Sequence, residues 1–471
     1  MTRSTPEVLD AIVMAYDIRG LVDVELDAEV VRAIGVAVAE VLVEEGQAVV
    51  VGRDMRPSSP RLLDAFVDGV TSWGVDVIDV GLASTDLVTY ASGELGLPSA
   101  MFTASHNPAA YNGIKLNRAG AVPVSITSGL GEVRDSAARV LSATAATAAT
   151  SAEEVAAAAP GSRGTRTHLD LLERFAAHVR SFVDVDALSE VSVAVDAGNG
   201  MAGYLWPAVV AGTPILTEPL FFELDGTFPN HPANPLDAAN LRDLQAAVRA
   251  GGHALGLAFD GDADRVFAVD ETGRVVPSSL IGAVVAARLL RRDPGATVLY
   301  NLVCSRTVPE TIEAEGGVAV RTRVGHSFIK ERMAQTGAIY AVEHSGHHYF
   351  RDNHRADSGV LAALVLLEAV AEAGRPLSEV VAPYDRYAVS GEHDIEVADT
   401  DGREEGTVGG VATPWEGCSL PGRAQPGRRR SRPGSRWPTV EGRGDRSRPG
   451  AARAGPWRRR PRLRPGRRRL R

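Results

Sequence analysis

Three carboxylates occupy alternate positions in Asp260-Gly-Asp-Ala-Asp-Arg265, directly after the apolar run at 254–259. In a strand or an extended loop this spacing turns Asp260, Asp262 and Asp264 to one side. Like charges so close repel unless a cation neutralises them. A hard divalent ion that takes oxygen ligands, Mg²⁺ first among them, suits such a cluster. Arg265 adds a fixed positive charge fitted to a phosphate. Taken alone, the stretch also reads as a solvated Asp/Gly turn between two strands.

A second constellation is Thr103-Ala-Ser-His-Asn-Pro108, which follows the apolar residues 99–102 and precedes Tyr111-Asn-Gly-Ile-Lys115. A serine at a strand exit, flanked by small residues and stopped by a proline, is expected to present its hydroxyl on an exposed loop. His106 beside Ser105 is a candidate base or orienting group, although no Gly-x-Ser-x-Gly elbow surrounds the serine. Lys115 is one of two lysines in the chain, the other being Lys330. Its charge is expected to reach a phosphate on Ser105 or to move a proton. A third stretch is Glu343-His-Ser-Gly-His347, with His348 and His354 close by. No cysteine or carboxylate pattern completes a zinc site there, so by itself it reads as a loop.

Alternating elements must position these loops. Asp27 is expected to cap a helix whose apolar positions are Val30, Val31, Ile34, Val38, Val41 and Leu42, ending at Gly46. Strands are expected at 48–51, 75–80, 191–195 and 297–302, and helices at 60–73, 167–183, 279–290 and 359–373. Strands alternating with helices predict α/β units with largely parallel pairing, and the rhythm recurs in three blocks. The Ala/Ser/Thr-rich stretch 137–164 reads as a poorly packed helix or a linker.

The chain has 471 residues, 44% of them apolar and 23% charged, which reads as soluble and globular. No apolar run reaches the ~18 residues a membrane helix needs, and no signal peptide is expected in the polar first ten residues. The two cysteines, Cys304 and Cys418, make no disulfide framework, which fits a reducing, cytoplasmic compartment. The net charge of −9 divides unevenly: residues 421–471 carry nineteen Arg against two acids, or +17, leaving −26 for the rest.

Together the loops resemble those of the α-D-phosphohexomutase superfamily, in its phosphomannomutase/phosphoglucomutase branch. The serine loop is similar to that family's phosphoserine loop, the aspartate loop to its Mg²⁺ loop, and Glu343-His-Ser-Gly-His347 to its sugar-recognition loop. Ala15-Tyr-Asp-Ile-Arg-Gly20, Gly52-Arg-Asp-Met-Arg56 and Val324-Gly-His-Ser-Phe-Ile-Lys330 agree in order and spacing. The resemblance implies an α/β protein of three similar domains with mixed sheets around a central cleft, followed by a fourth, α+β domain. It divides the chain into 1–160, 161–274 and 275–382, with a remnant of the fourth domain at 383–400. It implies a phosphohexomutase interconverting mannose or glucose 6-phosphate and 1-phosphate through a hexose 1,6-bisphosphate, which also serves as activator. Ser105 would carry the phosphoryl group, with Asp260, Asp262 and Asp264 holding Mg²⁺ against it. Arg19, Lys115 and His106 would flank the phosphoserine. Glu343, Ser345, His347, Arg265 and His326 would contact the sugar phosphate.

The resemblance stops near residue 400. The tail 401–471 is rich in Arg, Pro and Gly, and such a composition cannot bury enough apolar surface to offset its ordering entropy. It reads as a shifted frame of a GC-rich gene in place of a degraded or missing fourth domain, with impaired turnover as the expected consequence. The other reading is a basic arm that binds nucleic acid non-specifically. A phosphoglucosamine mutase and a sugar-phosphate binder without turnover are the remaining alternatives.

Overall fold

Strands that are apolar on both faces run through the middle of three sheets, because helices cover each sheet on two sides. The computed structural model describes residues 5–147 and 162–388. The first sheet contains β1 (Ile18–Leu21), β2 (Val49–Arg53), β3 (Val77–Leu82), β4 (Ser99–Phe102), β5 (Tyr111–Arg118), β6 (Val122–Pro123) and β7 (Arg166–His168). Their spatial order is β1-β5-β4-β2-β3-β7, with β6 paired to β5. The second sheet has β8 (Val191–Asp196), β9 (Ile215–Leu220), β10 (Leu255–Phe259), β11 (Val266–Asp270) and β12 (Val275–Val276), in the order β12-β11-β10-β8-β9. The third has β13 (Thr297–Asn301), β14 (Val318–Thr322), β15 (Tyr340–Val342) and β16 (His348–Phe350), in the order β14-β13-β15-β16.

Each sheet is parallel at its centre and turns antiparallel at one hairpin. These hairpins are β4–β5, β10–β11 and β15–β16, with Phe102 opposite Ile114, Phe259 opposite Val266, and Val342 opposite His348. The serine, aspartate and Glu343 loops are the turns of these three hairpins. One topological position thus carries all three motifs, and packing the domains together brings the turns to one cleft. The sheets are mixed rather than largely parallel.

The first sheet is flanked by α1 (Thr5–Ile12), α2 (Ala28–Leu42), α3 (Ser59–Ser72), α4 (Thr85–Leu95) and α5 (Gly131–Thr147). With the second go α6 (Leu172–Arg180), α7 (Ala202–Val210) and α8 (Arg242–Gly251). With the third go α9 (Ser278–Arg292), α10 (Thr307–Ala314), α11 (His326–Thr336), α12 (Gly359–Ala373) and α13 (Leu377–Val381). One core, between α2, α3, α5 and the first sheet, is built from Ile34, Leu62, Phe66, Phe102 and Leu141 among others. A larger core is continuous across all three sheets and includes Leu87, Phe175, Trp206, Phe259, Ile281 and Leu364. Helix α12 lies inside it, buried along most of its length. Its one deep charge, Glu368, is met by Arg288 and by Arg292, as a buried carboxylate requires. A shared core of this kind makes the three hairpins parts of one frame.

Several elements depart from the sequence-based expectation. The helix capped by Asp27, whose Oδ1 accepts from Val30 N at 2.9 Å, ends at Leu42 because Val43 is already extended. Gly46, at φ +81°, serves the turn into β2 instead. Residues 167–183 are not one helix. Strand β7 pairs parallel with β3, Asp170 Oδ1 accepts from Leu172 N, and α6 starts there. The first sheet therefore takes its edge strand from beyond residue 161. Of the Ala-rich stretch, residues 137–147 form the second half of α5, and Ala137 and Leu141 are buried in the core it shares with α2. Most of the stretch 383–400, expected to be a remnant of a fourth domain, and all of 401–471 lie outside the described residues. Among the described residues no helix is long and apolar enough to cross a membrane.

Candidate active site

The serine loop is held from beneath. Arg56 is fully buried, and its guanidinium donates to the carbonyls of Ser105 (2.8 Å), Asn107 (2.7 Å), Pro108 (2.9 Å) and Tyr111 (3.0 Å). Its Nε pairs with Asp54 at 3.2 Å, and Asp54 also accepts from Ser59 Oγ at 2.6 Å. A buried guanidinium costs several kcal/mol to desolvate and is tolerated only with its donors satisfied. Four loop carbonyls and one carboxylate satisfy these. Ser105 itself sits at φ +49°, a left-handed conformation that a non-glycine residue adopts at a cost of about 1 kcal/mol. That bend aims the hydroxyl inward, so Ser105 is 2% exposed rather than on an open loop.

The aspartate loop meets it there. Ser105 Oγ donates to Asp260 Oδ2 at 2.7 Å across 155 residues of sequence. Gly261 permits the approach: a Cβ on it would lie 2.4 Å from the Ser105 carbonyl oxygen. The carboxylates converge through a tight turn, with Ala263 at φ +62°, rather than by extended alternation. Ligand atoms from Asp260, Asp262 and Asp264 lie within 4.8 Å of one another, and all three residues are buried. Lys115 Nζ pairs with Asp262 Oδ2 at 2.8 Å and Asp264 Oδ2 at 2.7 Å. Arg265 Nε pairs with Asp260 Oδ2 at 3.2 Å. Two acceptors remain: Asp262 Oδ1 and Asp264 Oδ1 are buried without a hydrogen-bond partner among the described residues. Unsatisfied buried carboxylate oxygens beside a third carboxylate are the donor set a hard divalent cation takes, so the residues present fit such an ion.

The electrostatics follow from burial. Burial, with Asp264 and Asp262 adjacent, pushes the Asp260 carboxyl up to about 8. Burial also opposes ionisation of Asp262, but the Lys115 ammonium overcomes it and holds Asp262 well below the usual carboxylate range. Burial, together with the charges of Arg265 and Arg19, lowers His106 to about 4. His106 Nδ1 faces Arg265 Nη2 at 2.5 Å. An arginine can only donate, so that nitrogen is an acceptor and the proton resides on Nε2. The same nitrogen lies 3.2 Å from Ser105 Oγ, so His106 faces both Arg265 and the serine hydroxyl. Arg19, on β1, donates to Asn107 Oδ1 at 2.8 Å and to Asp17 Oδ2 at 2.6 Å, beside the serine loop.

The third hairpin closes the other side. His347 bridges to Arg265 in antiparallel fashion, with Val266 N donating to Gly346 O at 3.2 Å. His347 Nδ1 lies 3.0 Å from Asp357 Oδ2, and Asp357 Oδ1 pairs with Lys330 Nζ at 2.8 Å. Burial works against protonation of His347, yet the Asp264 and Asp357 carboxylates raise its pKa above the ordinary value. A cavity of about 170 Å³ opens between the hairpins, lined by Tyr16, Arg19, Ser105, Lys115, Arg265 and His347 among others. His326 also faces it, edge-on to Tyr16 at 5.3 Å, and burial beside Lys330 lowers its pKa to about 4. Glu343 and Ser345 stand outside that lining. The Glu343 carboxylate accepts from Tyr349 Oη (2.7 Å), Asn301 Nδ2 (3.2 Å) and Gly325 N (3.3 Å).

Sequence reasoning gave no role to Arg56, Lys330, Asp357 or Thr85. Arg56 and Lys330 stand in stretches already singled out by their order, so a signal was present without a role. Asp357 and Thr85 lie in no motif, and only packing brings them to the site.

Residues 11–132, 173–273 and 277–387 match, respectively, the alpha/beta/alpha domains I, II and III described for phosphoglucomutase/phosphomannomutase. The chain is 38% identical over 387 residues to the phosphohexose mutases of Xanthomonas campestris pv. campestris, covering 82% of this chain and 83% of the relative. It is 34% identical over 386 residues to the phosphomannomutase/phosphoglucomutase of Pseudomonas aeruginosa, covering 81% and 79%. Among solved structures, a phosphoglucomutase/phosphomannomutase family protein from Burkholderia thailandensis superposes with a TM-score of 0.69 at 32% identity, covering 79% of each chain.

Proposed function

Since the chain belongs to the phosphoglucomutase/phosphomannomutase family, we propose that it interconverts the 6-phosphate and 1-phosphate of mannose or glucose, with Ser105 as phosphoryl carrier. The observation that carries this reading is the hydrogen bond from Ser105 Oγ to Asp260 Oδ2, made inside a pocket lined by Arg19, Lys115 and Arg265. A hydroxyl oxygen at C1 or C6 of the hexose monophosphate attacks the phosphorus, the bond from phosphorus to Ser105 Oγ breaks, and the hydroxyl proton departs to a base. The resulting hexose 1,6-bisphosphate turns around. Ser105 Oγ then attacks the other phosphorus, and the isomeric monophosphate leaves with a proton restored to its oxygen. Added hexose 1,6-bisphosphate activates by charging the serine.

Phosphoryl transfer asks mainly for positioning and for positive charge on the phosphoryl oxygens. Arg19, Lys115 and Arg265 supply fixed charge around Ser105. Asp260, Asp262 and Asp264 would hold Mg²⁺, which when bound contributes further positive charge beside the phosphoserine. His347 is suited to the hydroxyl proton, because the Asp357 carboxylate lies 3.0 Å from its Nδ1 and its ring lines the cavity. Glu343 and Ser345, on the same turn, read the sugar hydroxyls; a carboxylate has about four acceptor sites, so Glu343 retains capacity beyond its present bonds. The test is Ser105→Ala. Intact mass should lose the phosphoryl adduct found on the wild-type chain after incubation with a hexose 1,6-bisphosphate, and a coupled assay with mannose and glucose phosphates should fall to background. Full turnover by Ser105→Ala would overturn the proposal.

A further inference from the structure

Asp262 uses its two oxygens differently. Oδ2 accepts from the Thr85 hydroxyl at 2.5 Å and from Lys115 Nζ at 2.8 Å, while Oδ1 is buried with no hydrogen-bond partner among the described residues. Thr85 also donates its backbone N–H to the Asp262 carbonyl at 3.4 Å, and its hydroxyl accepts from Lys115 at 3.3 Å. The first residue of α4 therefore grips the tip of the aspartate loop through both main chain and side chain, 177 residues away in sequence. Thr85 has little freedom of its own. Ser84 caps α4, its hydroxyl accepting from Leu87 N at 3.2 Å and donating to Asp86. Asp86 Oδ2 in turn accepts from Ser358 Oγ at 2.6 Å, and Ser358 caps α12. Gly359 N donates to Ala263 O at 3.2 Å, so α12 holds the far side of the same loop.

We propose that Thr85 is a positioning residue for the metal site: by occupying Asp262 Oδ2 together with Lys115, it leaves Oδ1 as the oxygen presented to the divalent cation. A carboxylate free to rotate would share its oxygens between Lys115 and the ion, and hydrogen bonds behind a ligand commonly change metal affinity by about 10- to 100-fold. The Asp86–Ser358 bond ties the starts of α4 and α12 together, so that domains one and three clasp the loop of domain two. This inference rests on the reading of Asp262 as a metal ligand.

The experiment is Mn²⁺ binding to the full chain, followed by electron paramagnetic resonance, in the parent, Thr85→Val, Thr85→Ser and Asp262→Asn. Thr85→Val, nearly isosteric but without a donor, is expected to weaken Mn²⁺ binding by about 10- to 100-fold, and Thr85→Ser to restore it to within a few-fold. Mutase activity of Thr85→Val should recover as metal is raised, with the KM for hexose phosphate unchanged. Parent-like Mn²⁺ affinity in Thr85→Val, with affinity lost in Asp262→Asn, overturns the role of Thr85 alone. Parent-like affinity in Asp262→Asn overturns the ligand reading and the inference with it. Should Thr85→Val not fold, Thr85→Ala carries the same comparison without added bulk.

Discussion

Replacing Arg56 by methionine keeps much of its aliphatic length and removes its charge. In the folded protein this strips the donors from four carbonyls of the serine loop and leaves Asp54, fully buried, without its counter-ion. Breaking a buried ion pair by removing one partner costs about 3–5 kcal/mol. The loop carbonyls contribute less than their number suggests, since the outer ones can take up water once the loop loosens. A loss of about 3–5 kcal/mol is therefore expected, or on the order of 10 °C in the thermal midpoint for domains of this size. The double variant Arg56→Met/Asp54→Asn removes the stranded charge as well and should regain roughly half of that loss, a coupling that a double-mutant cycle reads directly. Turnover should not return with stability, because the loop carrying Ser105 still lacks its support. Thermal unfolding by circular dichroism and a coupled mutase assay on the same preparations measure both. If Arg56→Met unfolds at the parent temperature and turns over at the parent rate, the guanidinium does not hold the loop and the reasoning fails.

Two further outcomes follow from the same geometry. Gly261→Ala places a methyl group 2.4 Å from the Ser105 carbonyl oxygen, a backbone atom that can yield only by separating the two loops. kcat/KM should fall by at least about tenfold for about 1.4 kcal/mol of lost positioning, and an unchanged value would show that the loops need not approach so closely. His348 is buried in β16 with Nδ1 beside the Tyr340 hydroxyl at 2.6 Å, and burial, with His347 as neighbour, depresses its pKa to about 3. Above pH ~6.5 the residue is neutral in both folded and unfolded states. As pH falls below that, the unfolded chain takes up the proton while the folded one does not, so stability declines, by about 2 kcal/mol at pH 5. The stability gap between the parent and His348→Gln, from urea titrations, should therefore narrow between pH 7.5 and pH 5; a constant gap would contradict the assignment.

Much of the site was legible because its chemistry is local in sequence. Three aspartates two apart, a serine between small residues, and a Glu-x-Ser turn each need only a few neighbouring residues, and their types alone restrict what they can do. The α/β rhythm was legible for a similar reason: buried central strands are continuous apolar runs, and α2, α3, α9 and α12 carry apolar faces at helical spacing. The short edge strand β7 was not, because three residues on a sheet edge leave almost no periodic trace, and the helical pattern next to it extends over the same positions.

By itself, then, the sequence determined the kinds of groups present, their order, and the family whose loops they resemble. What the tertiary structure decided was how those groups meet. It showed that all three loops are turns of equivalent hairpins, that Ser105 is buried against Asp260, and that His106 accepts from Arg265. It also brought in Arg56, Thr85, Asp357 and Lys330, whose roles depend on partners as far as 177 residues away. The physical reason is that residue type and local spacing set what a side chain can do. Burial, the choice of one carboxylate oxygen over the other, and the neutralising partner of each charge arise only when distant segments pack together.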